Sequence, residues 1–306
     1  MTNPLFESNL QALQSVSPDL AHTLRTLTMD GLQGETVTTK TNLPSLRIIP
    51  QSGKSPELLH SAYDPLREAQ RWAESANLQT PINVVILGAG LGYHLLTLLT
   101  RYHSILRHIL ILERDPRILR LTFSSTDLRS LILREGTYFF AGVDPAQIPE
   151  QIRDIRSDII IHNCKILPHP PSLRCFPDYY TQVQEILLQT MTYDEVNMRT
   201  NIENQGRNQF NLFMNLPFIL QGHTLKSCRN ILQGYPAVIS AAGPSLDKNV
   251  HLLHELRDRA ALFIVDTAQN TFHKLGILPH VVVTGDPTPL NFSHFEHVDS
   301  LGKAFL

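Results

Sequence analysis

The sequence predicts an α/β protein with two Rossmann-like, doubly wound units joined by a helical segment. In two separate parts of the chain, short aliphatic and β-branched runs alternate with longer helical patterns, which is typical of parallel sheets covered by helices. Each part begins with an apolar strand that leads through a glycine turn into a helix. Prolines are concentrated between the two parts, where they indicate a linker: Pro168, Pro170, Pro171 and Pro177.

The composition indicates a globular protein without general affinity for nucleic acid or membranes. Of 306 residues, 42% are hydrophobic and 18% charged, and the formal net charge is -2. This balance gives no attraction to nucleic acid or anionic lipid, and no apolar run approaches the ~18 residues of a membrane helix. The chain has three cysteines without CxxC spacing and no signal-peptide pattern, so we expect a cytoplasmic protein.

The elements divide the chain into four expected ranges. These are a helical and mixed preface (1–80), a Rossmann-like α/β domain (81–167), a Pro-rich linker with helices (168–235) and the start of a second α/β domain (236–306). Because three predicted strands are few for an open doubly wound domain, we expect the last range to be truncated at its C-terminus and the sequence to be a piece of a longer protein.

The preface and the first domain have a regular predicted order. The preface has helical patterns at 5–16, 18–29 and 63–75, with a β-like piece at 34–50, and the only tryptophan, Trp72, is expected to be a core anchor. In the first domain we expect strands at 83–87, 108–112, 137–140 and 158–162, and helices ending near residue 102 and covering 145–156.

A glycine turn follows the first strand of this domain and is a candidate cofactor site. Gly88, Gly90 and Gly92 lie between strand and helix, and Glu113 ends the next strand, 21 residues beyond Gly92. An acidic residue at that place accepts hydrogen bonds from ribose hydroxyls, so the spacing suits a dinucleotide or S-adenosylmethionine. The alternative is a turn of the same kind that holds no ligand.

Polar residues follow each of the three strands predicted in the last range, at 237–241, 261–265 and 280–284. Ligands bind at the carboxyl edge of open parallel sheets. The free backbone N–H groups at a helix N-terminus are suited to binding a phosphate. Ser245 is expected to cap its helix and donate to a phosphate, and Asp266 and Asp286 to bind ribose or a divalent metal; the alternative is that both aspartates cap turns. The candidate nucleotide- or phosphate-binding residues are Gly243, Pro244, Ser245, Asp266, Thr267, Gln269, Asn270 and Asp286.

Two other patterns carry weaker signals. His251 and His254 stand three apart on a predicted helix, but no HExxH carboxylate accompanies them, so the pattern does not favour a metal site. A long helical region at 178–215 is rich in asparagine, a poor helix former. We expect these side chains to face water, the alternative being hydrogen bonds between helices: Asn197, Asn201, Asn204, Asn208, Asn211 and Asn215.

The segments AAGPSLDKN and FIVDTAQNTFHKLGILPHVVVTGDP resemble the central domain of bacterial motility accessory factors. These proteins are flagellin glycosyltransferases of the nonulosonic acid type. The domain is also similar to archaeal 6-hydroxymethylpterin diphosphokinase and to small bacterial sialyltransferases, whose Gly-Asn-Gly-Pro-Ser-Leu turn holds CMP-sialic acid. Ala241 and Ala242 replace the first Gly and the Asn of that turn here.

The resemblance implies transfer of a pseudaminic or legionaminic acid from a CMP donor to Ser or Thr of flagellin. Range 236–306 would then bind the nucleotide sugar, with Mg²⁺ at Asp286 as a further expectation. The catalytic base is not assigned; His273, His280 and His294 are the nearby candidates. One alternative is a diphosphokinase that uses ATP and Mg²⁺, with Asp266 and Asp286 as metal ligands. Another is a non-catalytic flagellin-binding accessory protein.

Overall fold

Strands and helices alternate along most of the chain, and the mixed α/β class with parallel sheets is confirmed. The structure, a computed structural model, describes residues 3–32, 34–50, 55–221, 226 and 228–296. The strands are β1 (Gly34–Thr38), β2 (Pro44–Ile48), β3 (Glu57–Leu58), β4 (Ile82–Leu87), β5 (Leu106–Glu113), β6 (Thr137–Ala141), β7 (Cys164–Pro168), β8 (Ala237–Ser240), β9 (Ala261–Val265) and β10 (Val281–Val283). The helices are α1 (Pro4–Val16), α2 (Pro18–Thr26), α3 (Pro65–Ser75), α4 (Tyr93–Tyr102), α5 (Pro116–Ser125), α6 (Arg129–Ile132), α7 (Ile148–Gln151), α8 (Arg156–Ile161), α9 (Pro170–Cys175), α10 (Pro177–Gln221), α11 (Pro244–Leu256) and α12 (Gln269–Lys274).

A parallel sheet of order β6-β5-β4-β7 forms the centre of the first compact unit, Met1–Val196. Side chains alternate between its two faces, because successive residues of a strand point in opposite directions. Val84 and Ile86 enter one buried cluster, whereas Val85 and Leu87 enter another on the opposite face. All four are fully buried, and each such side chain stabilises the fold by about 1.5–3 kcal/mol. The sheet is therefore covered on both faces.

The N-terminal residues are part of this unit and not a separate preface. Phe6, Leu10 and Leu13 of α1 lie in the same buried cluster as the sheet residues Val84 and Ile86. A small antiparallel sheet, β1-β2-β3, follows α2. Trp72 is only half-buried, packs against the first cluster and donates from Nε1 to the carbonyl of Pro168 at 2.8 Å.

The strand predicted at 158–162 is wrong, because these residues lie mostly in α8. Asp158 accepts hydrogen bonds from Arg107, which anchors the helix, and Ile159 is buried while Ile161 is 63% exposed. Asn163 then takes a left-handed φ of 60° and the chain enters β7. The helix expected at 145–156 is split by 3₁₀ turns at Pro145–Gln147 and Arg153–Ile155.

The proline cluster does not separate the two compact units. Pro168 ends β7, Pro170 begins α9, and Pro177 begins α10, where its fixed φ suits the first turn of a helix. The division falls at Val196/Asn197, inside α10. The expected linker is therefore a strand end and two helices; the assignment of roles to the four sequence ranges stays a prediction.

The second unit, Asn197–Leu306, holds a parallel sheet of order β10-β9-β8. Its strands lie close to their predicted positions, and α11 and α12 follow β8 and β9. The buried cluster of this unit is small: Leu246, Val250, Leu253, Leu262, Ile264, Ala268, Phe272 and Ile277. Within the part of the chain that the structure describes, no helix combines the length and apolarity needed to cross a membrane.

Candidate functional site

The segments that follow β8, β9 and β10 all lie at the carboxyl edge of the second sheet, because these three strands are parallel neighbours. Ser245, Asp266 and Asp286 lie in the segments that follow these strands. Ser245 and Asp286 are exposed and Asp266 is half-buried, so none of them is covered by apolar side chains. The expected placement at one sheet edge is observed; the roles of these residues stay predictions.

A hydrogen-bonded chain joins the ends of β9 and β10. Asp266 accepts from the Thr284 hydroxyl at 2.7 Å and from the Thr267 amide at 2.7 Å. The Asn291 side-chain amide donates to the Thr284 hydroxyl and, at 3.1 Å, to the carbonyl of Asp286. Asn291 was missed by sequence reasoning, since its only signal is a polar residue in the 3₁₀ turn Pro289–His294.

Asp286 is held by its own loop. Its carboxylate accepts from the Thr288 amide at 2.8 Å, and this hydrogen bond keeps the pKa of Asp286 below its ordinary value. The positive charge of Arg207 adds to the same effect. Among the described residues, no cluster of three metal-ligating side chains includes Asp286 or Asp266. The Mg²⁺ expected at Asp286 would therefore need ligands from water or from a substrate phosphate.

A groove of about 490 Å³ lies beside Asp286 within the second unit. Its lining mixes aromatic and polar side chains, and Asn211 of α10 donates to the carbonyl of Pro287 at 3.2 Å. Small-molecule sites typically combine an apolar lining with a few placed polar groups. The groove is lined in part by Arg207, Phe210, Asn211, Asp286, Phe292 and Phe295.

The start of α11 is open to an approaching ligand. Gly243 is the N-cap residue, with Pro244 in the first turn, and no side chain caps the helix. Ser245 therefore does not cap its own helix, contrary to expectation, and its hydroxyl is not used for that purpose. The backbone of Gly243 has an ordinary extended conformation, and a Cβ there would meet no atom closer than 3.9 Å. The local fold does not itself require glycine at this position.

The residues after β9 divide into accessible and buried ones. Thr267 is exposed and Asn270 is half-buried, so both remain candidates for ligand contact. Gln269 is only 5% exposed, and its side-chain oxygen is buried without a hydrogen-bond partner. Direct contact of Gln269 with a ligand at the open sheet edge is therefore not supported by its position.

The three histidines considered as candidate bases also differ in how accessible they are. His280 is committed to the sheet, since its Nδ1 accepts from the Leu262 amide at 3.0 Å. His273 is exposed on α12. His294 is half-buried and close enough to Asp286 to influence its charge. Of the three, His294 is the one that the structure brings to the candidate site.

The glycine turn of the first unit is filled by the protein's own atoms. Gly88, Gly90 and Gly92 all have positive φ and are buried. A Cβ at Gly88 would lie 2.3 Å from Ser172, and one at Gly90 would lie 2.6 Å from His60. These glycines permit close packing inside the unit, so the expected dinucleotide or S-adenosylmethionine has no space at this turn.

Glu113 supports the turn and does not face a ribose. It is fully buried and accepts from the amides of Ala89 at 2.8 Å and Asp115 at 3.2 Å. The hydroxyl of Tyr180 lies 3.4 Å from the same carboxyl group. Burial raises the pKa of Glu113 to about 7, against the lowering effect of these hydrogen bonds. The buried position of Glu113 does not support the expected contact with a ribose.

Part of the second unit matches a known family model. Residues 210–306 match the family model described as 6-hydroxymethylpterin diphosphokinase MptE-like. An uncharacterized protein of Treponema pallidum (strain Nichols) is 24% identical over 183 residues, which are 60% of this chain and 86% of that protein. The family match contains all candidate residues of the sheet edge described above.

The fold of nearly the whole chain also has a solved counterpart. The structure of the MAf glycosyltransferase from Magnetospirillum magneticum AMB-1 is similar with a TM-score of 0.60 at 17% identity. The similarity covers 99% of this chain and 53% of the glycosyltransferase, so this chain spans about half of that protein's length. Residues 210–306 are thus MptE-like, and the resemblance to the family of MAf-type glycosyltransferases that the sequence indicated is confirmed.

Proposed function

We propose that the chain belongs to a transferase that moves a nonulosonic acid of the pseudaminic or legionaminic type from a CMP donor to Ser or Thr of flagellin. The donor would bind at the carboxyl edge of the second sheet. Flagellin as acceptor and a cytoplasmic location are parts of the same proposal.

The observation that carries the proposal is that hydrogen bonds join the ends of β9 and β10 beside the uncapped N-terminus of α11. The chain of hydrogen bonds from Asp266 through Thr284 and Asn291 fixes the ends of β9 and β10. The α11 start follows β8 on the other side of β9, and a Cβ at Gly243 would have no atom closer than 3.9 Å. Such an edge suits a ligand that carries both a phosphate and sugar hydroxyls.

The chemistry assigns a task to each part of this edge. In sugar transfer from a CMP donor, negative charge develops on the departing phosphate, and a helix start stabilises an anion through its amides and dipole. Asp266 and Thr267 are our candidates for orienting the ribose hydroxyls. His294 is our candidate for the base that takes the proton of the acceptor hydroxyl.

The Rossmann-like character of both units is part of the proposal. In the first unit the chain runs outward from β4 to β6 and then returns to β7, which is the order of half a dinucleotide-binding fold. In the second unit the three strands run outward from β8 to β10. We assign nucleotide binding to the second sheet only, because the turn of the first is filled.

Nucleotide screening tests the proposal on the whole chain. Thermal stability is measured with CMP, CDP, ATP and S-adenosylmethionine, each with and without Mg²⁺. We expect stabilisation by CMP and CDP. Gly243→Val, which places a side chain where the phosphate would lie, should raise the Kd for CMP at least about tenfold, a loss of ~1.4 kcal/mol. Asp266→Asn should weaken CMP binding as well.

Asp258→Asn is the matched control for Asp266→Asn. Asp258 is exposed in the loop between α11 and β9, at the opposite edge of the sheet, so its removal should leave the CMP affinity unchanged. Stabilisation by ATP that requires Mg²⁺ and is lost in Asp286→Ala would replace the proposal with the diphosphokinase. Absence of any nucleotide effect, with flagellin still bound, would favour the accessory protein.

A further inference from the structure

Three histidines of the first unit converge behind its glycine turn, in a place that the proposed function does not use. His60 follows β3, His94 lies in the first turn of α4, and His169 follows β7. All three are at most 4% exposed. One ring nitrogen of each lies within 4.8 Å of the corresponding nitrogens of the other two. Their separation in sequence hides the cluster from any motif search.

His94 has the arrangement of a metal ligand. Its Nε2 lies 3.0 Å from the carbonyl of Gly88, to which it can only donate. Its Nδ1 therefore carries a lone pair, and this atom is buried without a hydrogen-bond partner. Metal-binding histidines typically donate their second N–H to a backbone carbonyl or a carboxylate, which fixes the ring. A buried acceptor without a partner is otherwise costly.

The other two histidines have orienting contacts of the same kind. The Nδ1 of His60 lies 3.6 Å from the carboxylate of Glu68. Burial alone would raise the pKa of Glu68, but hydrogen bonds from His60 and Ser61 outweigh it and hold the pKa below its ordinary value. A backbone hydrogen bond with Leu59 supports His169. A carboxylate behind one histidine and carbonyls behind the others are common around zinc.

Imidazoles bind a metal in their neutral form, and burial favours that form for two of the three rings. Burial lowers the pKa of His94 to about 3 and holds that of His169 well below its ordinary value. A cation therefore need not displace a proton from either ring at neutral pH. Glu68, in its ionised form, adds a negative charge beside the site, which favours a divalent cation.

Metal binding would replace two existing contacts. His60 accepts from the Leu91 amide at 2.7 Å, and Nδ1 of His169 lies 2.8 Å from the Ser172 hydroxyl, which can rotate away. Metal binding must exceed the cost of leaving the Leu91 amide without a partner, and a coordinate bond to a divalent metal is stronger than a hydrogen bond. The metal is therefore the stronger partner.

Two of the rings must turn toward each other to share one metal ion. The rings of His94 and His169 are stacked, with centroids 4.3 Å apart and planes at 2°. Tetrahedral zinc with Zn–N bonds of about 2.0–2.1 Å brings its ligand nitrogens to roughly 3.3 Å from one another. The χ2 torsion of histidine is soft, so rotation of the His169 ring, with loss of its contact to the Ser172 hydroxyl, would turn its lone pair toward Nδ1 of His94.

We propose that His60, His94 and His169 bind a divalent transition-metal ion, Zn²⁺ by preference. Three imidazoles are a common ligand set for zinc and leave a fourth position for water or a small anion. That position has room in a cavity of about 190 Å³, which the three histidines line together with Glu68, Trp72 and Arg174. Arg174 gives the cavity a cationic group suited to an anionic fourth ligand.

Metal titration of the whole chain tests the proposal. The chain is freed of metal by a chelator, and Zn²⁺ is added in competition with a chromophoric chelator. We expect one Zn²⁺ per chain with a submicromolar Kd. His94→Gln should weaken binding at least about 100-fold, and Glu68→Gln, which removes an outer contact, about tenfold. Co²⁺ in the same site should give the visible absorption of a tetrahedral complex.

His22→Gln is the matched control, because His22 is exposed on α2 and outside the cluster. Its Zn²⁺ affinity should equal that of the wild type. Circular dichroism shows whether each variant is folded. If His94→Gln is unfolded, the Zn²⁺ affinity of Glu68→Gln tests the proposal instead. The proposal is overturned if the wild type binds no stoichiometric Zn²⁺, or if folded variants of His94 and Glu68 bind it as tightly as the wild type.

Discussion

Glu113 is a carboxylic acid without access to water, so its ionisation is linked to the stability of the first unit. Its pKa is raised from 4.5 to about 7, chiefly by burial. Between these values the folded chain holds a proton that the unfolded chain has released. The stability contributed by that proton is complete below pH 4.5 and is lost as the pH rises through about 7.

Glu113→Gln isolates this contribution, because glutamine does not titrate. From pH 5 to 7.5, the free energy of unfolding of the wild type should fall relative to that of the variant by about 2–3 kcal/mol. Urea unfolding of both proteins at several pH values measures the difference, in which all other titrating groups cancel. Parallel pH profiles would show that Glu113 is already ionised in the folded protein.

Single residues also show where sequence reasoning ends. The position of Glu113 at the end of a strand beside a glycine turn was predicted correctly. Its burial was not, because it depends on Tyr180 of α10, which is 67 residues away. The sequence was enough to predict that Asp266 and Asp286 lie at one sheet edge, since this follows from the parallel order of the strands.

At the scale of elements, the two glycine turns look alike in sequence but differ in what surrounds them. The turn after β4 is closed by His60, His169 and Ser172, whereas the turn after β8 has open space around Gly243. Strand, turn and helix could be read from the local sequence in both cases. The side chains that fill the first turn come from segments distant in sequence, so no local pattern predicts them.

The same limit explains the error at 158–162. Three consecutive isoleucines suit a buried strand as well as a helix, and periodicity does not separate the two over so short a run. The ion pair between Asp158 and Arg107, and the left-handed Asn163, favour a helix that ends before β7. The strand therefore begins at Cys164, beyond the apolar run.

Alanine substitutions distinguish a packed glycine from a free one. Gly90→Ala should destabilise the first unit by more than about 1 kcal/mol, because φ is +50° and the new Cβ would lie 2.6 Å from His60. Gly206→Ala in α10 should instead stabilise its helix by about 0.5–1 kcal/mol, since a Cβ there meets nothing within 4 Å. Urea unfolding measures both. Equal effects of the two substitutions would contradict the closed turn.

For the whole molecule, the two compact units have unequal cores. The sheet of the first unit is buried on both faces by two clusters. The second unit has one small cluster, and its strand β8 carries Ile239 with 82% of its surface exposed. Because buried apolar area is the main source of stability, the second unit should be the less stable of the two.

Hydrogen exchange resolves this difference along the chain. In mild denaturant, amides of β8–β10 should exchange through an opening of lower free energy than amides of β4–β7, so that mass spectrometry shows two separate transitions. A ligand raises the stability of only the unit that binds it, by about 2.7 kcal/mol at a concentration of 100 times its Kd. CMP should therefore protect β8–β10 and leave β4–β7 unchanged, whereas Zn²⁺ should do the reverse. Protection of both sheets by either ligand would mean that the units open together, and the assignment of one ligand to each would then have to rest on the variants of Gly243 and His94 alone.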